Sequence, residues 1–183
     1  EGLLETIVAN MDGKYVYTHA HDPLMRPIQT RYALSADGQT AYIEMAATSG
    51  LPLLRPEERD PWETTTYGTG ELIREALDRG CRHLVVGIGG SATNDAGLGM
   101  LQALGFRFLD DRRQELGQGG KIMGDVAYID ESHKHPALQE TTITVACDVR
   151  NPFCGPQGAA YIFAPQKGAD KRMVERLDQG LRH

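Results

Sequence analysis

The 183 residues carry 25 Asp and Glu against 19 Lys and Arg, a net charge of -6. That is enough chain to close a core without staples, and it has no basic cluster beyond pairs such as Arg112-Arg113 and Lys171-Arg172, which excludes a surface that binds nucleic acid by neutralising phosphates. Cys81, Cys147 and Cys154 lack CxxC spacing and indicate neither a disulfide framework nor a zinc site; with no apolar run near the roughly 20 residues of a membrane span and no signal-peptide order at the start, a cytoplasmic protein without a membrane partner is expected.

In chain order, Leu3, Leu4, Ile7 and Val8 recur at helical spacing, and Asp12-Gly13 ends that helix. Residues 14 to 20, 28 to 34 and 40 to 46 read as strands, with Asp37-Gly38 as a hairpin signal, and predict antiparallel or mixed sheet. The proline-bearing segment 51 to 62 predicts an exposed loop. A helix follows with Thr69 as candidate N-cap, a stripe of Leu72, Ile73, Ala76 and Leu77, and a stop at Gly80. Strand 83 to 88, a glycine-rich turn, a helix to about Leu104 and strand 106 to 110 predict a parallel β-α-β unit around residues 83 to 110. Residues 111 to 140 are polar and glycine-rich, 141 to 148 read as another buried strand, and a Pro/Gly segment leads to a short helix near 159 to 163 and a final helix. The fold class is α/β, a mixed sheet flanked by helices. Both ends lie inside helical patterns, as in a piece excised from a longer chain.

The turn reads GIGGSATNDAGLGM over residues 87 to 100. Gly87, Gly89 and Ala92 satisfy G-x-G-x-x-A, and Asp110, ending the next predicted strand, stands where a dinucleotide fold keeps its ribose-binding acid. Small residues there let backbone N–H groups approach an anion, so Gly89, Gly90, Ser91, Ala92, Thr93 and Asn94 are candidate phosphate contacts. Asp95, expected in the first turn of the helix, would repel a bare pyrophosphate and becomes favourable with a divalent cation between them. A Walker loop is excluded, for no Gly-Lys-Ser/Thr follows. A purely structural reading also stands, since Ser91, Thr93, Asn94 and Asp95 are all good helix caps.

Elsewhere, Asp148 ends a predicted strand, where α/β sheets place ligand-binding carboxylates, though it could equally cap its loop. Lys167, between Pro165 and Gly168, could reach a phosphate as a point charge or stay solvated. Glu44 is a carboxylate in an otherwise apolar strand, paired or perturbed in either case, and Ser49-Gly50 adjoins it. His19 and His21 share a strand face but lack a third metal ligand, and His133 and His135 read as surface-loop residues.

Three segments together carry a resemblance. VVGIGGSATNDAGLGMLQALGFRF (85 to 108), EMAATSGL (44 to 51) and ACDVRNPFCGPQGAAYIFAPQKG (146 to 168) resemble motifs of the bacterial type I glycerate kinases, and the opening EG resembles the tail of a D-G-G-E-G motif. The resemblance implies a kinase moving the ATP γ-phosphoryl group to a hydroxyl of D-glycerate, with ATP and Mg²⁺. It also implies that residues 1 to 183 are the central α/β portion, with 14 to 165 as an inserted domain and flanking helices from a second, incomplete one, inactive alone. On that footing Gly89 to Asn94 contact phosphate, Asp95 meets the cation or a substrate hydroxyl, and Asp148 serves as base or second metal contact. Lys167 neutralises charge, and Glu44, Ser49 and Arg150 serve the substrate. Which hydroxyl is phosphorylated stays open, and a homodimer is compatible. The rival reading is an NAD-dependent oxidoreductase using Gly87, Gly89, Ala92 and Asp110.

Overall fold

The computed structural model describes residues 2 to 183; Glu1, half of the opening EG, lies outside the described residues. Strand β1 (Lys14–His21) and β2 (Pro27–Leu34) pair antiparallel along their whole length, with Thr18 opposite Thr30. β2 reaches β3 (Thr40–Glu44) through the expected Asp-Gly turn: Gly38 sits at φ 71, and Asp37 Oδ1 accepts from Ser35 Oγ and Gln39 N. β3 runs parallel to β4 (His83–Gly87), and β4 parallel to β7 (Thr142–Ala146), giving the order β1-β2-β3-β4-β7. The mixed α/β sheet expected from the sequence is the sheet observed.

One connection differs. β5 (Arg107–Leu109) leaves this sheet and pairs antiparallel with β6 (Tyr128–Asp130) in a separate hairpin, so the parallel neighbours of β4 are β3 and β7. The reason is length. The helix after the turn, α4, covers only Leu98–Ala103, about 9 Å of rise, whereas a five-residue strand spans roughly 17 Å; that helix cannot carry the chain back to the start of β4, and the crossover takes until β7. A second difference concerns β7, expected to be buried but exposed at all five residues.

The core forms where α3 (Tyr67–Asp78) lays Leu72, Ile73, Ala76 and Leu77 against Tyr32, Ile43, Leu84 and Val86 of the sheet. Burying each large side chain contributes roughly 1.5 to 3 kcal/mol, which fixes the helix on this face. Thr69 lies inside α3 rather than at its cap, its buried hydroxyl bonded to Thr48 and Ser49. On the other face α1 (Leu3–Asn10) packs Leu4 and Ile7 against Ala33. A third cluster joins α5 (Ala159–Phe163) to α6 (Lys171–Arg182) through Ala160, Val174, Leu177 and Leu181. Among the described residues, no helix is long and apolar enough to cross a membrane.

Register places Glu44, Gly87 and Ala146 level with one another. The loops that leave β3, β4 and β7 therefore open at one edge of the sheet.

Candidate functional site

The first and second of these loops are stitched together by their backbones. Met45 N donates to Gly87 O, Leu51 N to Gly90 O and Ala92 N to Ser49 O, at 2.8 to 2.9 Å, and Gly50 bridges Ser91. This holds the glycine turn open toward the third loop. It also assigns work to two residues expected at the substrate. Ser49, at the end of helix α2 (Ala46–Ser49), is buried with its Oγ 2.8 Å from Thr69 Oγ1, bracing α2 on α3. Glu44 Oε1 accepts from Leu3 N at 3.0 Å, which ties the start of α1 to the end of β3.

Asp95 corrects the sequence reading most. α4 begins only at Leu98, after Ala96 and Gly97 at φ 53 and 76, so Asn94 and Asp95 lie ahead of the helix rather than in its first turn. The Asp95 carboxylate is buried and accepts from four donors: Thr66 N and Oγ1 (both 2.9 Å) and Gly99 N (3.2 Å) at Oδ2, and Gly97 N (3.1 Å) at Oδ1. With Oδ2 occupied this fully, Asp95 braces the turn, and only Oδ1, with its single bond from Gly97 N, has acceptor capacity left. Thr64, Thr65 and Thr66 are buried beside it; Thr64 Oγ1 donates to Ala92 O at 2.9 Å, and Met100 N donates to Thr66 Oγ1 at 2.9 Å. Gly99 has to be glycine here, because a Cβ would stand 2.0 Å from Thr65 Oγ1. Sequence reasoning passed over these threonines; a run of three just ahead of a helix was the signal available.

The expected site residues that do converge surround a cavity of about 540 Å³ beyond the ends of β4 and β7. Its wall includes Gly89, Gly90, Ser91, Asp148 and Lys167, with Phe153 and Phe163 as apolar sides. Gly89 and Gly90 are exposed, Gly90 at φ 71, and nothing lies within 4 Å of where a Cβ would stand at Gly89. Ala92, Thr93 and Asn94 are buried and turn inward; Thr93 and Asn94 line a smaller cavity of about 190 Å³ behind the turn. The part of the turn that lines the larger cavity is thus residues 89 to 91, shorter than the stretch the sequence suggested.

Lys167 joins the two spaces. It ends a 3-10 turn, Pro165–Lys167, stopped by Gly168 at φ 101, and is only 7% exposed. Its Nζ donates to Ser91 Oγ at 2.8 Å and to Thr93 O at 2.6 Å. Burial pulls its pKa down to about 8, partly offset by the Asp95 charge. Asp148 and Arg150 are exposed on the loop after β7; Asp148 borders the cavity, and Arg150 is not among its lining residues. That loop is anchored on α6: the buried Asp178 accepts from Gly155 N at 2.6 Å and from Arg182 Nε at 2.8 Å.

Among the described residues no group of three His, Cys, Asp or Glu side chains converges as a metal cage. His21 instead lies with Nδ1 3.0 Å from Glu71 Oε1. A single exposed carboxylate beside a glycine turn does fit Mg²⁺, which keeps several waters and is commonly held by one or two carboxylates plus phosphate oxygens. Asp148 meets that description and Asp95 does not.

Among the described residues the dinucleotide geometry is absent. β5 is not a neighbour of β4, and Asp110 Oδ1 accepts from Arg112 N and Gln114 N at 2.9 and 2.8 Å, closing a local turn that borders a different cavity.

A parallel β3-β4-β7 edge with a glycine turn, a buried ammonium and an exposed carboxylate around one cavity defines an α/β protein with its cavity outside the carboxyl ends of its strands, where such sheets place their ligand sites. The comparisons agree and go further: a family model described as the glycerate kinase family matches residues 1 to 183, and the chain belongs to that family. It is 50% identical over 183 residues to a glycerate kinase of Haemophilus influenzae and 46% identical to a glycerate 2-kinase of Escherichia coli, covering 100% of this chain and 48% of each relative. A crystal structure assigned as a glycerate kinase 2 from Salmonella typhimurium LT2 superposes with a TM-score of 0.96 at 48% identity, over 100% of this chain and 49% of that one. The chain spans about half the length of the curated relatives it matches.

Proposed function

We propose that the full-length protein to which these residues belong is an ATP-dependent glycerate kinase of the cytoplasm, and that the 540 Å³ cavity is where phosphate and glycerate meet. The observation that carries this reading is the convergence of Gly89, Gly90, Ser91, Asp148 and Lys167 on that one cavity, in a chain of the glycerate kinase family. Phosphoryl transfer asks a protein mainly for positioning and charge stabilisation, and the residues divide along those lines. The amides of residues 89 to 91 face the phosphate oxygens. Lys167 sits behind Ser91, its ammonium available to charge that develops on the transferred group. Asp148 accepts the proton of the glycerate hydroxyl as its oxygen bonds to the γ-phosphorus and the bond to ADP breaks. Arg150, on the same loop, pairs with the glycerate carboxylate. Asp148 would hold Mg²⁺, which would supply charge neutralisation. Asp95, Thr64 and Thr66 act one step removed, by fixing the turn.

By analogy with the Escherichia coli relative's name, the acceptor is the 2-hydroxyl. The test is product analysis with full-length protein, D-glycerate, ATP and Mg²⁺: ADP and 2-phosphoglycerate in equal amounts support the reading. ATP hydrolysis without phosphoglycerate, or saturable NAD(H) binding without ATP binding, overturns it.

A further inference from the structure

β7 is the last strand of its sheet, and it is built like an interior one. Thr142 to Ala146 read TITVA, β-branched in all but the last position, with no charge and no proline, yet every residue is exposed. Natural edge strands are normally blunted by Lys, Pro, bulges or a covering element, because a free edge is a template for pairing. β1, at the opposite edge, carries such protection: Lys14, His19 and His21 lie on it, and the Arg31 guanidinium covers its Tyr15 ring at 4.1 Å.

The unfinished state of β7 has a direction. Thr142 N donates to Arg82 O, and Ile88 N to Ala146 O, so the even-numbered residues bond β4. By the alternation of a parallel ladder, Ile143 and Val145 turn their N–H and C=O groups away from the sheet. Their side chains stand level with Leu84 and Val86 of β4, which are 1% and 3% exposed, yet are themselves 43% and 54% exposed. The apolar face of the sheet therefore continues one strand beyond the cover that residues 2 to 183 provide.

We infer that a β-strand from the part of the full-length polypeptide outside residues 1 to 183 adds to β7 along Ile143 and Val145. Two arguments single out this occupant. The curated relatives and the solved structure hold about as much chain again, since this one covers 48% and 49% of them. A segment tethered to the same chain also competes at an effective concentration on the order of millimolar, ahead of a second copy at ordinary protein concentrations. The added strand leaves its own loop next to Cys147 and Asp148, at the open side of the cavity. None of this depends on the kinase reading.

Hydrogen exchange on the unmodified full-length protein, resolved to single amides by NMR and repeated at several protein concentrations, tests it. The expected result is that the Ile143 and Val145 amides exchange about a thousandfold or more slower than an unstructured chain, like those of β4, with no dependence on concentration. Rapid exchange at both amides, as for a solvated edge, overturns the inference. Protection that appears only as the protein dimerises, followed by light scattering on the same samples, overturns it in favour of a second copy.

Discussion

Lys167→Met in the full-length protein separates the ammonium's role in binding from its role in folding. The side chain is 7% exposed and its pKa lies at about 8, so holding the charge there at neutral pH costs about 3 kcal/mol relative to an ordinary lysine. Methionine removes that cost but strips a donor from Ser91 Oγ and Thr93 O, at roughly 1 to 3 kcal/mol for each acceptor left unsatisfied. These terms oppose each other, and the melting temperature should move little. Ligand binding has no such compensation. A charge-assisted hydrogen bond to a phosphate oxygen contributes roughly 1.5 to 3 kcal/mol, so kcat/KM should fall about 10- to 150-fold at pH 7. The pH dependence sharpens the test. For the wild type, kcat/KM should fall above about pH 8 as the ammonium deprotonates, and the variant should lose that limb. Stability has the opposite slope: the lysine pKa is depressed in the folded state, the unfolded chain holds more protons between about pH 8 and about 10.4, and stability rises across that window only with Lys167 present. Steady-state kinase assays and chemical denaturation from pH 6 to 10 read both. A folded Lys167→Met variant that keeps wild-type kcat/KM and its alkaline limb would refute the reasoning.

Asp95→Asn should cost about 2 to 4 kcal/mol in chemical denaturation, since a buried carboxylate with four donors becomes an amide that meets some of them with its own N–H groups. Combined with Thr66→Val in a double-mutant cycle it should show coupling of about 1 kcal/mol or more, and additivity would contradict the brace. Asp148→Asn should leave stability within about 0.5 kcal/mol, because the side chain is exposed. Its kcat should nonetheless drop by about a hundredfold or more, with a higher Mg²⁺ requirement; an unchanged kcat excludes Asp148 as the base. Gly99→Ala should destabilise by about 1 to 3 kcal/mol or more, measured by thermal unfolding, because its Cβ would meet Thr65 Oγ1 at 2.0 Å.

Much of the fold was legible because local pattern and tertiary outcome agree. Alternation in β1 and β2, the Asp37-Gly38 turn and the Leu72-Ile73-Ala76-Leu77 stripe each need only nearest neighbours to be read. Failures came where a distant partner decides. Residues 106 to 109, FRFL, look alike whether they extend the parallel sheet or pair with β6, and only the shortness of α4 excludes the first. β7 looks buried by composition, and whether it is depends on what lies beside it. In the candidate site, the three long motifs marked the loops that leave β3, β4 and β7 at one edge of the sheet, but contacts within them were set across the chain. Asp95 looked like a ligand because its donor Thr66 lies 29 residues upstream, and for Lys167 a phosphate contact and a solvated side chain read alike until folding set it against Ser91, 76 residues away. Short polar side chains can brace a backbone or bind a ligand with the same atoms, and burial, which sequence does not print, decides which.

The central claim is that one cavity beyond β4 and β7 holds the reacting groups. A crystal structure of the full-length protein with a non-hydrolysable ATP analogue, Mg²⁺ and D-glycerate tests it most directly. The account predicts phosphate oxygens on the amides of residues 89 to 91 and on Lys167 Nζ, with the glycerate hydroxyl turned to Asp148. Phosphates bound outside that cavity, with Lys167 still on Ser91 and Thr93 and Asp148 facing solvent, would contradict it.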